Sequence, residues 1–219
     1  MGIAYRDLMR TLILLLFTAL SAFPQVVEIG AKGGVPMTDL LNGSHSPAGL
    51  YSTATRRYLV GPTVEFHFPL GFRLEFDAIY RRAGFDSTRN FVDGFSTSQT
   101  TANLWEFPVL VKHPLLPGPV QPFIDAGVSI RHVSNVEQAI QTFRAIGSSS
   151  STTSNPAELN NSTNAGFTAG IGLAFHTGIV RVSPEVRYTR WGSEAFRDPV
   201  NGLLHTKLNQ ADFLLGITF

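Results

Sequence analysis

From Val26 onward apolar residues recur at every second position, the period of strands with two unlike faces rather than of helices. Between Tyr58 and Phe68 the even positions hold Val60, Pro62, Val64, Phe66 and Phe68, and the odd ones Gly61, Thr63, Glu65 and His67. Pro69-Leu70-Gly71 breaks the run, after which Phe72, Leu74, Phe76, Ala78 and Tyr80 stand against Arg73, Glu75, Asp77 and Ile79. So tight a connection between two alternating runs predicts a hairpin. The same alternation predicts six further strands, anchored at Ile29, Phe107, Val128, Ile171, Val182 and Leu215, which makes eight in all. Runs of about 8 to 11 residues have the length of tilted membrane strands.

The connections alternate in length. Those at Leu70-Gly71, Leu116-Pro117-Gly118 and Thr177-Gly178 are short, whereas those across 38–57, 82–101, 132–163 and 192–207 are long and rich in Ser, Thr, Asn and Gly. An even strand count with both termini on the short side predicts an all-β protein: an eight-stranded antiparallel up-and-down transmembrane β-barrel with short periplasmic turns and four long extracellular loops. Within the third long connection, Gly147 to Asn164 reads as a flexible solvated loop. Aromatic residues fall at two heights. Phe66, Phe68, Phe72, Phe175 and Phe219 lie near the short-turn rim, and Tyr58, Tyr80, Trp105, Phe167 and Tyr188 near the long-loop rim, as interfacial girdles would.

The first segment follows a different rule. Arg6 and Arg10 precede the apolar run TLILLLFTAL, and the small residues Ser21 and Ala22 follow, the order of an export signal peptide over residues 1–22 with the barrel domain over 23–219. The run is shorter than the roughly 20 residues that a spanning helix needs, and no later stretch is longer, which excludes a helical membrane protein.

Composition narrows the function. Seventeen Lys and Arg against sixteen Asp and Glu leave a net charge of +1, without the basic field that nucleic-acid binding requires. With no cysteine, the chain has neither disulfides, nor a thiolate nucleophile, nor a lipid-modified anchor residue. Parity alone leaves the inward face open, and a soluble lipocalin-like barrel holding an apolar ligand is one alternative. The loop asymmetry and the terminal Phe219 favour the membrane. With the apolar set outward, Glu28, Glu65, Glu75, Asp77, Glu106, Asp125, Glu185 and Asp212 face the interior, opposed by Lys32, Arg73, Arg81, Lys112, Arg131, Arg181 and Arg187. A narrow eight-stranded lumen is filled by side chains. The near balance of signs predicts an ion-pair network that plugs it.

The stretches VEIGAKGGVPMTDL from Val27, YLVGPTVEFHFPLGFRLEFDAIY from Tyr58, WEFPVLVK from Trp105 and the terminal ADFLLGITF carry a resemblance. Together they resemble the bacterial outer-membrane protein beta-barrel family related to the OmpA-type transmembrane domain. The resemblance implies location in the cell outer membrane and recognition of the Phe219 strand by the barrel assembly machinery. It implies neither catalysis nor a cofactor, and with nothing after Phe219 it carries no cell-wall tether. The expected partners are outer-membrane lipids and lipopolysaccharide, with the chain a monomer.

One constellation points to chemistry. His132 and Ser134, two apart on a strand and therefore on one face, form half of a hydrolytic triad, and His132-Val133-Ser134-Asn135 resembles a stretch of outer-membrane lipid A deacylases. Glu137 is the only acid soon after, at a separation that does not match that family, and a triad needs an orienting acid, so the preferred reading is a polar strand end. Glu65 and His67 share an inward face on which a salt bridge is preferred to a metal site. The expectation is a non-enzymatic structural or surface-interaction barrel, with a lipid A esterase and a narrow small-solute channel as its rivals.

Overall fold

The computed structural model describes residues 27–219 apart from residue 48; the signal-peptide reading over 1–22 lies outside the described residues. Eight long strands form the body. They are β1 (Val27–Pro36), β2 (Leu59–His67), β3 (Arg73–Asp77, resumed after Ala78 as Ile79–Phe91), β4 (Gly94–Pro114), β5 (Val120–Arg144), β6 (Thr163–Thr177), β7 (Val180–Trp191) and β8 (Asn209–Thr218). Each pairs antiparallel with the next, and β8 returns to β1 with Gly30 opposite Thr218 and Pro36 opposite Asp212. Ile29 and Phe219 exchange backbone hydrogen bonds of 3.1 and 3.0 Å at the seam. Closure matters because lipid offers no partner to an open edge.

The two faces settle which side meets lipid. Outward positions on the strands are large, apolar and uncovered: Ile29 is 56% exposed, Val128 58% and Ile171 60%. Strand positions of the opposite parity carry the charged, buried side chains, with Arg131 0%, Glu65 1% and Lys32 2% exposed. A calyx around an apolar ligand would have the reverse order. The short ends are tight. β6 and β7 are joined through Gly178 and Ile179, and Gly178 has φ 62°, a conformation that a residue with a Cβ adopts only with strain.

The long connections differ from expectation. β3 and β4 continue as one ladder to a turn at Val92-Asp93, where Phe91 faces Gly94, and β5 runs on to Arg144. At 25 residues β5 has more than twice the length that a membrane strand needs. The stretch Gly147 to Thr153, read from sequence as part of a flexible loop, is a strand paired with Gln138 to Arg144. On the other flank Gly49–Thr53 pairs with β3. A sheet of these five strands, edged by His45–Ser46 paired with Gly49–Leu50, therefore stands beyond the barrel rim. Two-residue turns hold these strands in register, and their Ser and Thr side chains suit a sheet with water on its faces. The ladder also changes phase once: Asn103 pairs with Ser134 but Thr101 with Glu137, a bulge at Asn135, whose φ is 48°.

Candidate functional site

The barrel interior is built in layers. Nearest the short turns, Glu28 accepts from Arg181 at 3.0 Å and from Thr218 Oγ1 at 2.9 Å, and lies 3.1 Å from His67 Nε2. Arg181 also contacts Glu65 directly. Glu28, Glu65 and His67 offer ligand atoms within 4.8 Å of one another, but the guanidinium on both carboxylates already occupies the position of a cation. Arg73 donates to Gln121 Oε1 at 3.0 Å.

The middle layer is the densest. Arg187 reaches Glu75 at 2.8 Å, Asp77 at 2.7 Å and Glu185 at 2.6 Å. Lys32 contacts Glu75 and lies 3.0 Å from Glu185 and 3.4 Å from Asp77. Lys112 contacts Glu75, sits 3.3 Å from Glu65, and places its ammonium 4.5 Å from the centre of the Phe123 ring. Gly172 makes room for that ring, since a Cβ there would lie 2.4 Å from Phe123 Cζ. Asp125 stands apart. It is paired in register with Lys112, yet that ammonium is taken by Glu65 and Glu75, and neither Asp125 oxygen has a hydrogen-bond partner among the described residues.

Above this layer, Glu106 joins Arg81 at 3.1 Å and Arg131 at 2.7 Å, while Arg81 holds Asp212 at 2.8 Å. Arg131 places its guanidinium carbon over the Trp191 ring, 3.8 Å from its centre, and both bond to Gln210. The strands thus bring fourteen of the fifteen sequence-named lumen residues to buried or half-buried polar contacts. The fifteenth, Asp125, lies among them unpaired.

The outer mouth carries a second element that alternation did not reveal. Leu40, Leu41, Tyr51, Phe85, Leu104, Val133, Phe196 and Leu204 form one buried apolar cluster across it. A short ribbon, Leu41–Gly43 paired with Leu204–Thr206, ties the β1–β2 connection to the β7–β8 connection. Asp198 holds this lid: its carboxylate accepts from the backbone N–H groups of Val200, Asn201 and Leu203, each at 3.2 Å, and it is 2% exposed. Asp198→Ala leaves three amides without that acceptor, with an expected loss of about 1.5–3 kcal/mol. Trypsin should then cut after Arg197 at least tenfold faster in the folded protein, and an unchanged cutting rate would show that the lid does not depend on this turn.

Outside the lid, Glu158 lies in the polar interior of the projecting sheet. It accepts from Tyr51 Oη at 3.0 Å, Arg89 at 2.8 Å and Gln138 Nε2 at 3.2 Å. Burial pushes the Tyr51 phenol up to about 12; Arg89 opposes that rise and the Glu158 carboxylate adds to it. Tyr51 is therefore a neutral donor under all ordinary conditions.

The candidate catalytic pair is not assembled. His132 is exposed on the outer face, with Nδ1 3.0 Å from Thr163 Oγ1. Among the described residues no carboxylate pairs with it, and Ser134 does not bond to it. The Asn135 bulge directs the chain away just after Ser134.

A closed antiparallel barrel with an apolar outside, a charged inside and unequal ends defines a transmembrane β-barrel. The family model of the outer membrane protein beta-barrel domain matches residues 22–192, and the chain belongs to that family. Solved structures similar to it include Neisserial surface protein A, 12% identical over 89% of this chain and 96% of that one, with a TM-score of 0.40. The N-terminal barrel domain of Pseudomonas aeruginosa OprF is 12% identical, covering 88% and 96%, with a TM-score of 0.33. Ail, the attachment invasion locus protein of Yersinia pestis, solved with the heparin analogue sucrose octasulfate, is 10% identical, covering 88% and 97%, with a TM-score of 0.40. No curated protein matches the sequence significantly.

Proposed function

We propose that this chain is a non-enzymatic outer-membrane barrel that presents its projecting sheet outside the cell, and whose lumen is closed to solutes. One observation carries the reading: a buried ion-pair network fills the lumen from Arg181 to Arg131, and the Leu40–Phe196 apolar cluster lies over it. A pore needs continuous water. Here all the lumen charges but Arg73 and Asp125 are spent on one another, and the exit is apolar.

The outer rim supports lipopolysaccharide as the surrounding partner. Tyr58, Tyr80 and Trp105 stand outward in a row, tilted to one another with ring centres 6.3 and 5.3 Å apart, and mark the interface. Arg56 and Arg82 are exposed just beyond them, at the height of anionic headgroups, and are joined by a backbone bond of 3.1 Å. The Phe219 strand is the part offered to the assembly machinery, and the barrel is complete as a monomer.

Planar-bilayer recording tests the closed lumen. Refolded protein should show no steady conductance above background at 100 mV, whereas large stable steps would establish the channel. Lipid A profiles of cells with and without the protein should be identical; loss of an acyl chain that depends on His132 would make it an esterase.

A further inference from the structure

The projecting sheet forms a half-open cavity of about 240 Å³ on its inner face, between β3, β4, β5, the strand Gly147 to Thr153 and the segment 154–158 that crosses it. That is far more than the ~10–15 Å³ that one water needs by the same measure, and enough for a ring with its substituents. Its polar wall is made of the short hydroxyl side chains Ser87, Ser96, Ser98 and Thr153, with Asn155, the amide of Gln138, the guanidinium of Arg89 and the carboxylate of Glu158. Ile140, Pro156 and Ala157, with the C–H surfaces of the polar side chains, make the larger, apolar part of the wall.

The hydroxyls are held in place. Ser87 and Ser98 bond to each other at 2.7 Å, Thr142 donates to Ser96 at 3.3 Å, and Gln138 donates to Thr100 at 3.0 Å and to Glu158 at 3.2 Å. Ser98 also accepts from Gln138 at 3.4 Å; since a hydroxyl has one donor and two acceptor sites, each serine keeps capacity facing the cavity. Charge excludes several ligand classes. Arg89 is 2.8 Å from Glu158 and 3.8 Å from Asp198, one cation against two carboxylates, which leaves no net positive field for a phosphate or sulfate. An apolar ligand would strand the hydroxyls. What remains is a molecule that is neutral, ring-sized, dense in hydrogen-bonding groups, and apolar on its C–H face.

We infer that this cavity is a binding site for a neutral saccharide ring. The inference rests on the outward presentation of the sheet proposed above. The ring comes either from the sugars of lipopolysaccharide on the same surface or from glycans of another cell, and both offer the same chemistry.

The test uses the folded full-length barrel in a zwitterionic detergent, because sugar-headed detergents would compete. Saturation-transfer NMR and calorimetric titration would be run with neutral methyl hexopyranosides and N-acetylated hexosamines, and with sucrose octasulfate as the polyanionic control. Saturable binding of at least one neutral sugar is expected, with no stronger binding of the sulfated control. Ala157→Trp, on the exposed crossing segment, should fill the cavity and weaken that binding at least tenfold, and Ser96→Ala with Ser98→Ala should weaken it severalfold. Retained heat-modifiability on a gel shows that these variants are folded. Released lipopolysaccharide core oligosaccharide and glycans from animal cell surfaces, titrated in parallel, distinguish the two sources. No saturable binding of any neutral sugar, binding untouched by both variants, or a preference for the sulfated control would overturn the proposal. The conductance measurement is independent, so a closed lumen without sugar binding removes this inference alone.

Discussion

Arg187→Ala should destabilise the folded barrel by about 3–5 kcal/mol, the range for removing one member of a buried ion pair and leaving the other uncompensated. The geometry favours the upper half. Arg187 contacts three carboxylates, Glu75, Asp77 and Glu185, whose side chains are at most 1% exposed. Without it they share Lys32 and Lys112, and Lys112 is also engaged by Glu65. Arg187→Lys should recover only part of the loss, because an ammonium cannot present the planar fork that reaches three acceptors at once. Asp77→Asn in the Arg187→Ala background removes one of the stranded charges. The double variant should therefore cost clearly less than the two single losses added together. Guanidinium unfolding in micelles, followed by the fluorescence of Trp105 and Trp191, measures the wild type and all four variants. A loss under 1 kcal/mol for Arg187→Ala would mean that water reaches the carboxylates, and the closed-lumen reading would fall with it.

The strand count, the closure and the inward set were legible because each depends on a period of two. Glu65, Glu75, Asp77, Arg81 and Glu106 face inward for the same reason that Val64, Phe76 and Phe107 face out. Which charge meets which was not legible. Lys32 and Glu185 are 153 positions apart in sequence, and their contact depends on stagger around the closed sheet. Asp125 shows the limit most clearly: its register partner is a lysine, yet that lysine reaches toward two glutamates instead.

The projecting sheet was missed for a different physical reason. Alternation of apolar and polar residues reports a strand only where its two faces meet different solvents. In Ser96 to Thr101 and Gly147 to Thr153 both faces are polar, so the pattern vanishes although the ladder continues. The signals present were β-branched threonines and two brief turns, Val92-Asp93 and Ala145-Ile146. The lid was hidden likewise, because Leu40, Leu41, Ala195, Phe196 and Leu204 are scattered through connections without period and converge only once the barrel is closed. His132-Val133-Ser134 was legible as a motif and misleading as a site, since shared parity places two side chains on one face without bonding them.

The inside-outside assignment has its own direct measurement in Leu215→Arg. Leu215 is 42% exposed among Phe213 and Ile217, which are 40% and 45% exposed on the same outer face, and it pairs with Gly33 on β1 and Pro184 on β7. It lies four residues from Phe219 at the periplasmic rim. At a rise of about 3.4 Å per residue and a tilt of about 40°, that is roughly 10 Å into an apolar band about 25 Å tall, close to the midplane. An arginine there cannot reach either headgroup layer without strain, so the expected cost is about 2–4 kcal/mol. Val27→Arg is the control. Val27 also faces outward, but it starts β1 opposite Phe66 at the short-turn rim, where a guanidinium reaches headgroups and water and the cost should be about 0–1 kcal/mol. Equilibrium unfolding of both variants in phospholipid vesicles reads the difference. Equal costs would mean that Leu215 does not sit in the centre of the lipid band, and the depth assigned to the girdles at Trp105 and Phe219 would have to be redrawn.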